Sequence, residues 1–273
     1  MSADLLPLSS RSVDLWVVSM ADVREESLGC IYNRLLSDEE RVRQARFYFE
    51  KDRLAYLVTR AALRTVLSRY APVEPTGWRF VANAYGKPSV ADEPWASLIS
   101  FNLAHTDGCV LLGVTQGRDL GVDVENVVSR NISLDIADRF FSPRESTAMR
   151  ALAPDRQLNR FFELWTLKES YIKARGMGLS IPLNQFSFGL EEAHSVAVSF
   201  DPLLQDAPQR WHFWQFDIGP AHLAAACAQV GSRAPFMCAR RLIPCVSEKP
   251  LYVGIRRNSA NLSELAELIT KRR

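Results

Sequence analysis

The stretch Leu120-Gly121-Val122-Asp123-Val124-Glu125 constrains this chain more than any other. Apolar and acidic residues alternate along it, and a period of two is the signature of an extended strand with two unlike faces. Val122 and Val124 then point into a core, while Asp123 and Glu125 share the other face about 7 Å apart. Two like charges that close raise each other's pKa, so neither carboxylate gains from the arrangement alone. A bound cation would remove the conflict; exposure to water would tolerate it.

A second segment bears on that choice. Around Trp165-Thr166-Leu167-Lys168-Glu169-Ser170 the spacing is helical. At about 100° per residue Trp165, Glu169 and Lys173 stack on one face, and Leu164, Leu167 and Tyr171 on another. Glu169 and Lys173 have the spacing of an i,i+4 ion pair worth about 0.2–0.5 kcal/mol. That pair leaves Lys168, the tryptophan and the glycines at 176 and 178 unexplained. A hard cation such as magnesium takes oxygen ligands near about 2.1 Å, typically a few carboxylates completed by water and phosphate oxygens. Asp123, Glu125 and Glu169 with two lysines suit a metal-bridged pyrophosphate better than a bare structural metal.

The surrounding chain alternates strand and helix signals. A strand is expected over 14–19. Ser37-Asp38-Glu39-Glu40 reads as a capping box opening one long helical tract to about residue 70. A strand over 78–81 leads to a tight turn, Tyr85-Gly86-Lys87-Pro88. Strands over 99–103 and 109–115 flank a loop at 104–108, as in a hairpin, and the acidic strand follows. Helices are expected over 134–140 and 143–151, the latter with Ser142 as N-cap and Pro143 at its first position. Pro154 breaks the pattern before a helix over 158–175, which Gly176 and Gly178 stop. Strands over 185–188, 196–199, 211–216 and 222–229 precede an amphipathic helix at 261–273. Strand-turn-strand near 99–116 and again near 211–231 hints at two halves built alike.

Composition narrows the class. With 47% hydrophobic and 23% charged residues and a formal net charge of +2, the chain reads as an ordinary soluble protein, and nucleic acid is not an expected partner. Five scattered cysteines without a CxxC pair suggest neither a disulfide framework nor a zinc knuckle. Residues 1–13 lack the basic and apolar regions of a secretory signal, and no apolar run approaches the roughly 20 residues of a membrane helix. A reduced, cytoplasmic, monomeric protein is the expectation. Of four histidines only His105, in Asn102-Leu103-Ala104-His105, stands near the other candidates, and a lone histidine is more often structural. No Ser-His-Asp order, nucleophile elbow, Walker loop or GxGxxG stretch is present.

Five segments in order resemble the surfactin-type (Sfp-type) 4′-phosphopantetheinyl transferases. They are Tyr-Gly-Lys-Pro at 85–88, Asn-Leu-Ala-His at 102–105, Gly-Val-Asp-Val-Glu at 121–125, Arg-Phe-Phe-Ser-x-x-Glu at 139–145 and Trp-Thr-Leu-Lys-Glu-Ser-Tyr-Ile-Lys at 165–173. Gly-Leu-Ser-Ile-Pro-Leu at 178–183 continues the likeness, which runs from about residue 37 to 188 and more faintly to 229. The resemblance implies an α+β fold of two similar halves in pseudo-twofold arrangement, about 1–116 and 117–273, with coenzyme A between them. It implies transfer of the 4′-phosphopantetheine arm of coenzyme A to a serine of an apo acyl or peptidyl carrier protein, releasing adenosine 3′,5′-bisphosphate.

In that scheme Asp123, Glu125 and Glu169 hold Mg²⁺ on the pyrophosphate, which Lys173 and Lys168 also approach. His105 and the basic residues Arg43, Lys51 and Arg53 grip the 3′-phosphate from the first half. Gly86, Lys87, Pro88 and the backbone of Asn102, Leu103 and Ala104 line the adenine and ribose. Glu169 is the first choice of base, with Glu145 in reserve as a water-orienting group, and Lys173 stabilises the leaving phosphate. Ala104 stands where the family usually has serine, and Glu40 where some relatives place a phosphate-binding lysine. Arg139, Arg144 and Arg150 are candidate contacts for an acidic carrier, or a solvated helix face. Two rivals are a non-catalytic coenzyme A-binding scaffold and another magnesium-dependent phosphoryl or nucleotidyl transferase.

Overall fold

The computed structural model describes residues 4–23, 26–128, 132–232 and 234–259. In chain order the strands and α-helices are β1 (Ser12–Ser19), α1 (Glu26–Leu35), α2 (Asp38–Ala45), α3 (Glu50–Leu67), β2 (Phe80–Ala82), β3 (Pro88–Val90), α4 (Trp95–Leu98), β4 (Ile99–Thr106), β5 (Cys109–Gln116) and β6 (Leu120–Asn126). There follow α5 (Ala137–Phe140), α6 (Pro143–Arg150), α7 (Pro154–Arg175), β7 (Phe186–Gly189), β8 (Ala197–Phe200), β9 (Trp211–Ile218), β10 (His222–Gln229), β11 (Phe236–Ile243), β12 (Ser247–Pro250) and β13 (Gly254–Asn258). The class is α+β. The helix expected at 261–273 lies outside the described residues. Among those described, no helix is long and apolar enough to cross a membrane.

Two sheets organise the chain, one ordered β12-β11-β1-β5-β4 and the other β13-β9-β10-β6. A long helix covers each. Leu57, Val58, Ala61, Ala62 and Val66 of α3 pack on Trp16, Val18, Val110 and Leu112. Phe161, Phe162, Leu164, Leu167 and Tyr171 of α7 pack on Phe213, Leu223 and Ala225. A third cluster lies between the sheets, where Val13, Leu15 and Leu111 meet Val122, Val124, Trp214 and Phe216.

The long helix expected from 37 to 70 is two helices. Ser37 caps α2 in a reciprocal box with Glu40, as the sequence suggests. Glu40 is also buried against Arg60 and Arg64 of α3, with Arg64 at 2.8 Å. In one continuous helix residues 20 apart would lie about 30 Å apart, so these contacts require α2 to fold back. The aromatic run 47–49, a weak helix former, supplies the break. Glu40 thus stands in place of a phosphate-binding lysine as part of the scaffold.

The hairpin also differs from expectation. Its strands run on to Thr106 and resume at Cys109, leaving Asp107-Gly108 as the turn, with Gly108 at φ +87°. His105 is therefore a strand residue paired opposite Val110. Similarly, Pro154 opens α7 rather than preceding it, because a first-turn proline forfeits no helical hydrogen bond.

Strands β4 and β6 are the facing edges of the two sheets. Side chains join them in place of a backbone ladder: Val122 N–H donates to Asn102 Oδ1 at 2.9 Å, and Asn126 N–H to Thr106 Oγ1 at 3.3 Å. The boundary expected at 116/117 falls between β5 of one sheet and β6 of the other. Beyond residue 230 the chain returns to the first sheet, with β11 parallel to β1, and β13 then adds to β9 in the second.

Candidate active site

Helix α7 lies directly on β6, and Gly121 sets how close. A Cβ there would sit 2.0 Å from Ser170 O and 2.3 Å from Ala174 N, so only glycine permits the approach. That contact brings Lys173 Nζ to 2.7 Å from Asp123 Oδ1. The ion pair of Lys173 is made between helix and strand rather than along the helix to Glu169.

Asp123 and Glu125 are only 5% and 7% exposed, so neither is the solvent-facing residue its strand position allowed. Asp123 Oδ2 is buried with no hydrogen-bond partner. Glu169 senses both charges beside it. Burial raises its pKa most, the Asp123 carboxylate raises it further, and the Lys173 ammonium partly offsets them. Among the described residues no three His, Cys, Asp or Glu side chains converge closely enough to hold a metal ion. The residues present nonetheless fit a hard divalent cation, since the donors are carboxylate oxygens and one buried oxygen lacks a partner.

Beside this group opens a cleft of about 250 Å³, lined on one wall by Tyr85, Gly86, Lys87, Pro88, Asn102 and Leu103. The opposite wall holds Glu169, Ile172, Lys173, Gly176, Gly178 and Leu179. Gly86, Lys87, Pro88, Asn102, Leu103, Glu169 and Lys173 are thus brought together from three segments of sequence. Two of them serve the scaffold as well. Asn102 spends its side-chain oxygen on β6, and the Lys87 ammonium donates to Leu120 O at 3.1 Å and Ala174 O at 2.8 Å.

His105 stands outside the cleft lining but within electrostatic reach of it. Its pKa is lowered by burial and by Lys173, against a smaller upward pull from Asp52 in the first turn of α3. Arg43, Lys51 and Arg53 are exposed. Among the described residues none of the three is ion-paired, though the Arg43 guanidinium lies 6.0 Å from the Tyr56 ring centre. None lines the cleft.

The structure places three other sets of candidates away from the cleft lining. Lys168 is fully buried and pairs with Glu145 at 2.8 Å, while its ammonium also donates to Leu183 O and Phe186 O at 2.7 Å each. Glu145 completes the capping box of α6 with Ser142 and accepts from Phe188 N–H. The pair therefore anchors α6 and the 183–188 segment to α7, and neither residue lines the cleft. The Ala104 side chain is buried in the apolar cluster between the sheets, and Ala104 is not among the residues lining the cleft. Of the arginines expected to meet a carrier, Arg144 pairs with Glu191 at 2.9 Å and Arg150 with Asp138 at 2.5 Å. Only Arg139 is left exposed without a carboxylate partner among the described residues.

Sequence reasoning passed over Asn83, whose side chain organises the 83–88 turn. Its Oδ1 accepts from Tyr85 N–H and Lys87 N–H, and its Nδ2 donates to Gly176 O at 2.7 Å. An asparagine opening a turn that contains glycine was the available signal.

Comparison with known proteins gives consistent results. A family model described as "4′-phosphopantetheinyl transferase, N-terminal" matches residues 25–116, and one described as "4′-phosphopantetheinyl transferase superfamily" matches 119–228. The 4′-phosphopantetheinyl transferase Sfp of Bacillus subtilis is 34% identical over 193 residues, 71% of this chain and 82% of the relative. HetI of Nostoc sp., also named a 4′-phosphopantetheinyl transferase, is 35% identical over 204 residues, 74% of this chain and 82% of the relative. A phosphopantetheinyl transferase of Thraustochytrium sp. is 33% identical over 174 residues, 60% of each chain.

Proposed function

Because this chain belongs to the surfactin-type 4′-phosphopantetheinyl transferase family, we propose that it transfers the 4′-phosphopantetheine arm of coenzyme A to a serine of an apo carrier protein. Adenosine 3′,5′-bisphosphate leaves. The observation that carries the reading to named residues is the cleft where the 85–88 turn and β4 face Glu169 and Lys173 of α7. A non-catalytic scaffold is not favoured, since such a module has no need of Asp123, Glu125, Glu169 and Lys173 together.

Asp123, Glu125 and Glu169 would hold Mg²⁺, which supplies charge neutralisation at the pyrophosphate when bound. The residues' own work can be stated separately. Lys173, fixed by Asp123 at 2.7 Å, offers a cation to the phosphate that gains charge as the bond to phosphorus breaks. The serine oxygen forms the new bond to the β-phosphorus and its proton passes to Glu169. Without the cation, burial and the Asp123 charge raise the Glu169 pKa; a cation on the same carboxylate would lower it, so the proton passes to Glu169 either directly or through a water. His105, with Arg43, Lys51 and Arg53, would take the 3′-phosphate. The three exposed cations have no carboxylate to satisfy among the described residues, and His105 lies within reach of both Asp52 and Lys173. On this reading the enzyme is a cytoplasmic monomer, with adenine and 3′-phosphate contacts from the first half and the pyrophosphate site from the second.

Intact-mass spectrometry of an apo acyl carrier and an apo peptidyl carrier, each incubated with the protein, Mg²⁺ and coenzyme A, tests this. A gain of one phosphopantetheine that EDTA or Asp123→Ala abolishes is the expected result. No gain on either carrier, with coenzyme A still bound, would leave the scaffold as the surviving reading. Near-native turnover by folded Asp123→Ala would remove Asp123 from the metal site.

A further inference from the structure

The C-terminus of α7 ends at the cleft, and its last carbonyls have no partner within the helix. Ile172 O is satisfied by Gly176 N–H, with Gly176 in the left-handed region at φ +64°. Ala174 O and Gly176 O are taken by the opposite wall. Lys87 Nζ donates to Ala174 O at 2.8 Å, and Asn83 Nδ2 to Gly176 O at 2.7 Å. The same ammonium also reaches Leu120 O at the start of β6. A cation at this end of a helix is favoured by the helix dipole as well.

The fit is tight. A methyl group on Gly176 would meet Lys87 Cδ at 2.7 Å and Asn83 Nδ2 at 3.3 Å. The turn that carries both residues is itself held by Asn83 Oδ1, which accepts from Tyr85 N–H and Lys87 N–H at 2.9 Å each. Asp206 grips the outer side of the same helical turn through Tyr171 OH and Arg175. On the cleft side the 83–88 turn, the close approach at Gly121 and the Lys173–Asp123 pair fix it.

We propose that Asn83 and Lys87 form a latch across the cleft that caps α7 and so positions Glu169 and Lys173, Lys87 acting as a positioning residue and not as a ligand for coenzyme A phosphates. Two of the three donors of this ammonium are held by backbone carbonyls, so it cannot swing towards a phosphate as a mobile ligand would without releasing the helix. The catalytic consequence rests on the transfer activity proposed above; the latch itself does not.

The test is hydrogen exchange of the free, full-length protein alongside steady-state kinetics, for Lys87→Met, Asn83→Ala and the double variant. Methionine keeps an unbranched stem against Gly176 while removing the donors. Each single variant should speed exchange of the amides at 174–176 about tenfold, and the double variant should add little to Lys87→Met. Both singles should lower kcat about tenfold while KM for coenzyme A moves less than about threefold. Unchanged exchange in either single variant overturns the latch. So does a rise in KM with kcat preserved for Lys87→Met while Asn83→Ala is silent, because Lys87 is then a ligand. If Lys87→Met fails to fold, Asn83→Ala alone carries the same readouts. If the native protein transfers nothing, the functional reading fails while the exchange result still decides the latch.

Discussion

Gly121→Ala perturbs the contact on which the site depends. The added methyl would start 2.0 Å from Ser170 O, 2.3 Å from Ala174 N and 2.9 Å from Lys173 C, all backbone atoms of α7. No side chain can swing aside, so the helix or the strand must retreat. Recovering an ordinary 3.4 Å contact to Ser170 O takes about 1.4 Å. Overpacking of this kind costs about 1–3 kcal/mol. For a chain of this size that lowers Tm by roughly 2–12 °C. A comparable shift of Lys173 relative to Asp123 would stretch their 2.7 Å contact beyond ion-pair distance. A misplacement of about 1 Å can cost about a hundredfold in rate, so kcat/KM for carrier modification should fall by that order even where the variant is fully folded. Thermal unfolding and a carrier-loading assay at 20 °C measure both effects. Gly29→Ala on α1 is the control, since nothing lies within 4 Å of that position and the change should stabilise by about 0.5–1 kcal/mol. If Gly121→Ala kept native Tm and native kcat/KM, the close approach of α7 to β6 would be wrong, and with it the placement of Lys173.

Three further outcomes are expected. Lys168→Met should cost about 3–5 kcal/mol because it strands the buried Glu145 carboxylate, yet KM for coenzyme A should be unchanged below the new Tm. A raised KM would return Lys168 to the ligand set. Burial pushes His212 down to about 4 from 6.5, so between those values the unfolded chain binds a proton that the folded chain refuses. Its stability contribution is whole above pH 6.5 and is lost towards pH 4, about 3 kcal/mol in all. Urea titrations from pH 7 to 4.5 should show a shallower slope in His212→Gln, and an unaltered slope would contradict the buried, neutral imidazole. Finally, His105→Ala should raise KM for coenzyme A about tenfold or more, as loss of a charged hydrogen bond does, with little effect for 3′-dephospho-coenzyme A. Equal effects on both substrates would take His105 out of the 3′-phosphate site.

What the sequence determined by itself was local. Alternation in β6, the helical face of Trp165, Glu169 and Lys173, the capping box at Ser37, the N-cap at Ser142 and the stop at Gly176 all follow from interactions within a few residues. The five ordered motifs added the family. Tertiary structure decided how charges are shared between elements, because that depends on which backbones approach and what water is excluded. Lys168 and Lys173 are five residues apart on one helix, yet α6 and Glu145 bury the first while β6 presents Asp123 to the second. Glu40 became a scaffold residue only once α2 folded back on Arg60 and Arg64. His105 moved from turn to strand because cross-strand pairing carried the hairpin to Thr106. The return of β11 and β13 to separate sheets has no local signature either, since strand partners distant in sequence are chosen by the whole fold. Lys87 shows the difference most plainly: the sequence marks it as a cleft residue, and the helix end across the cleft takes its ammonium.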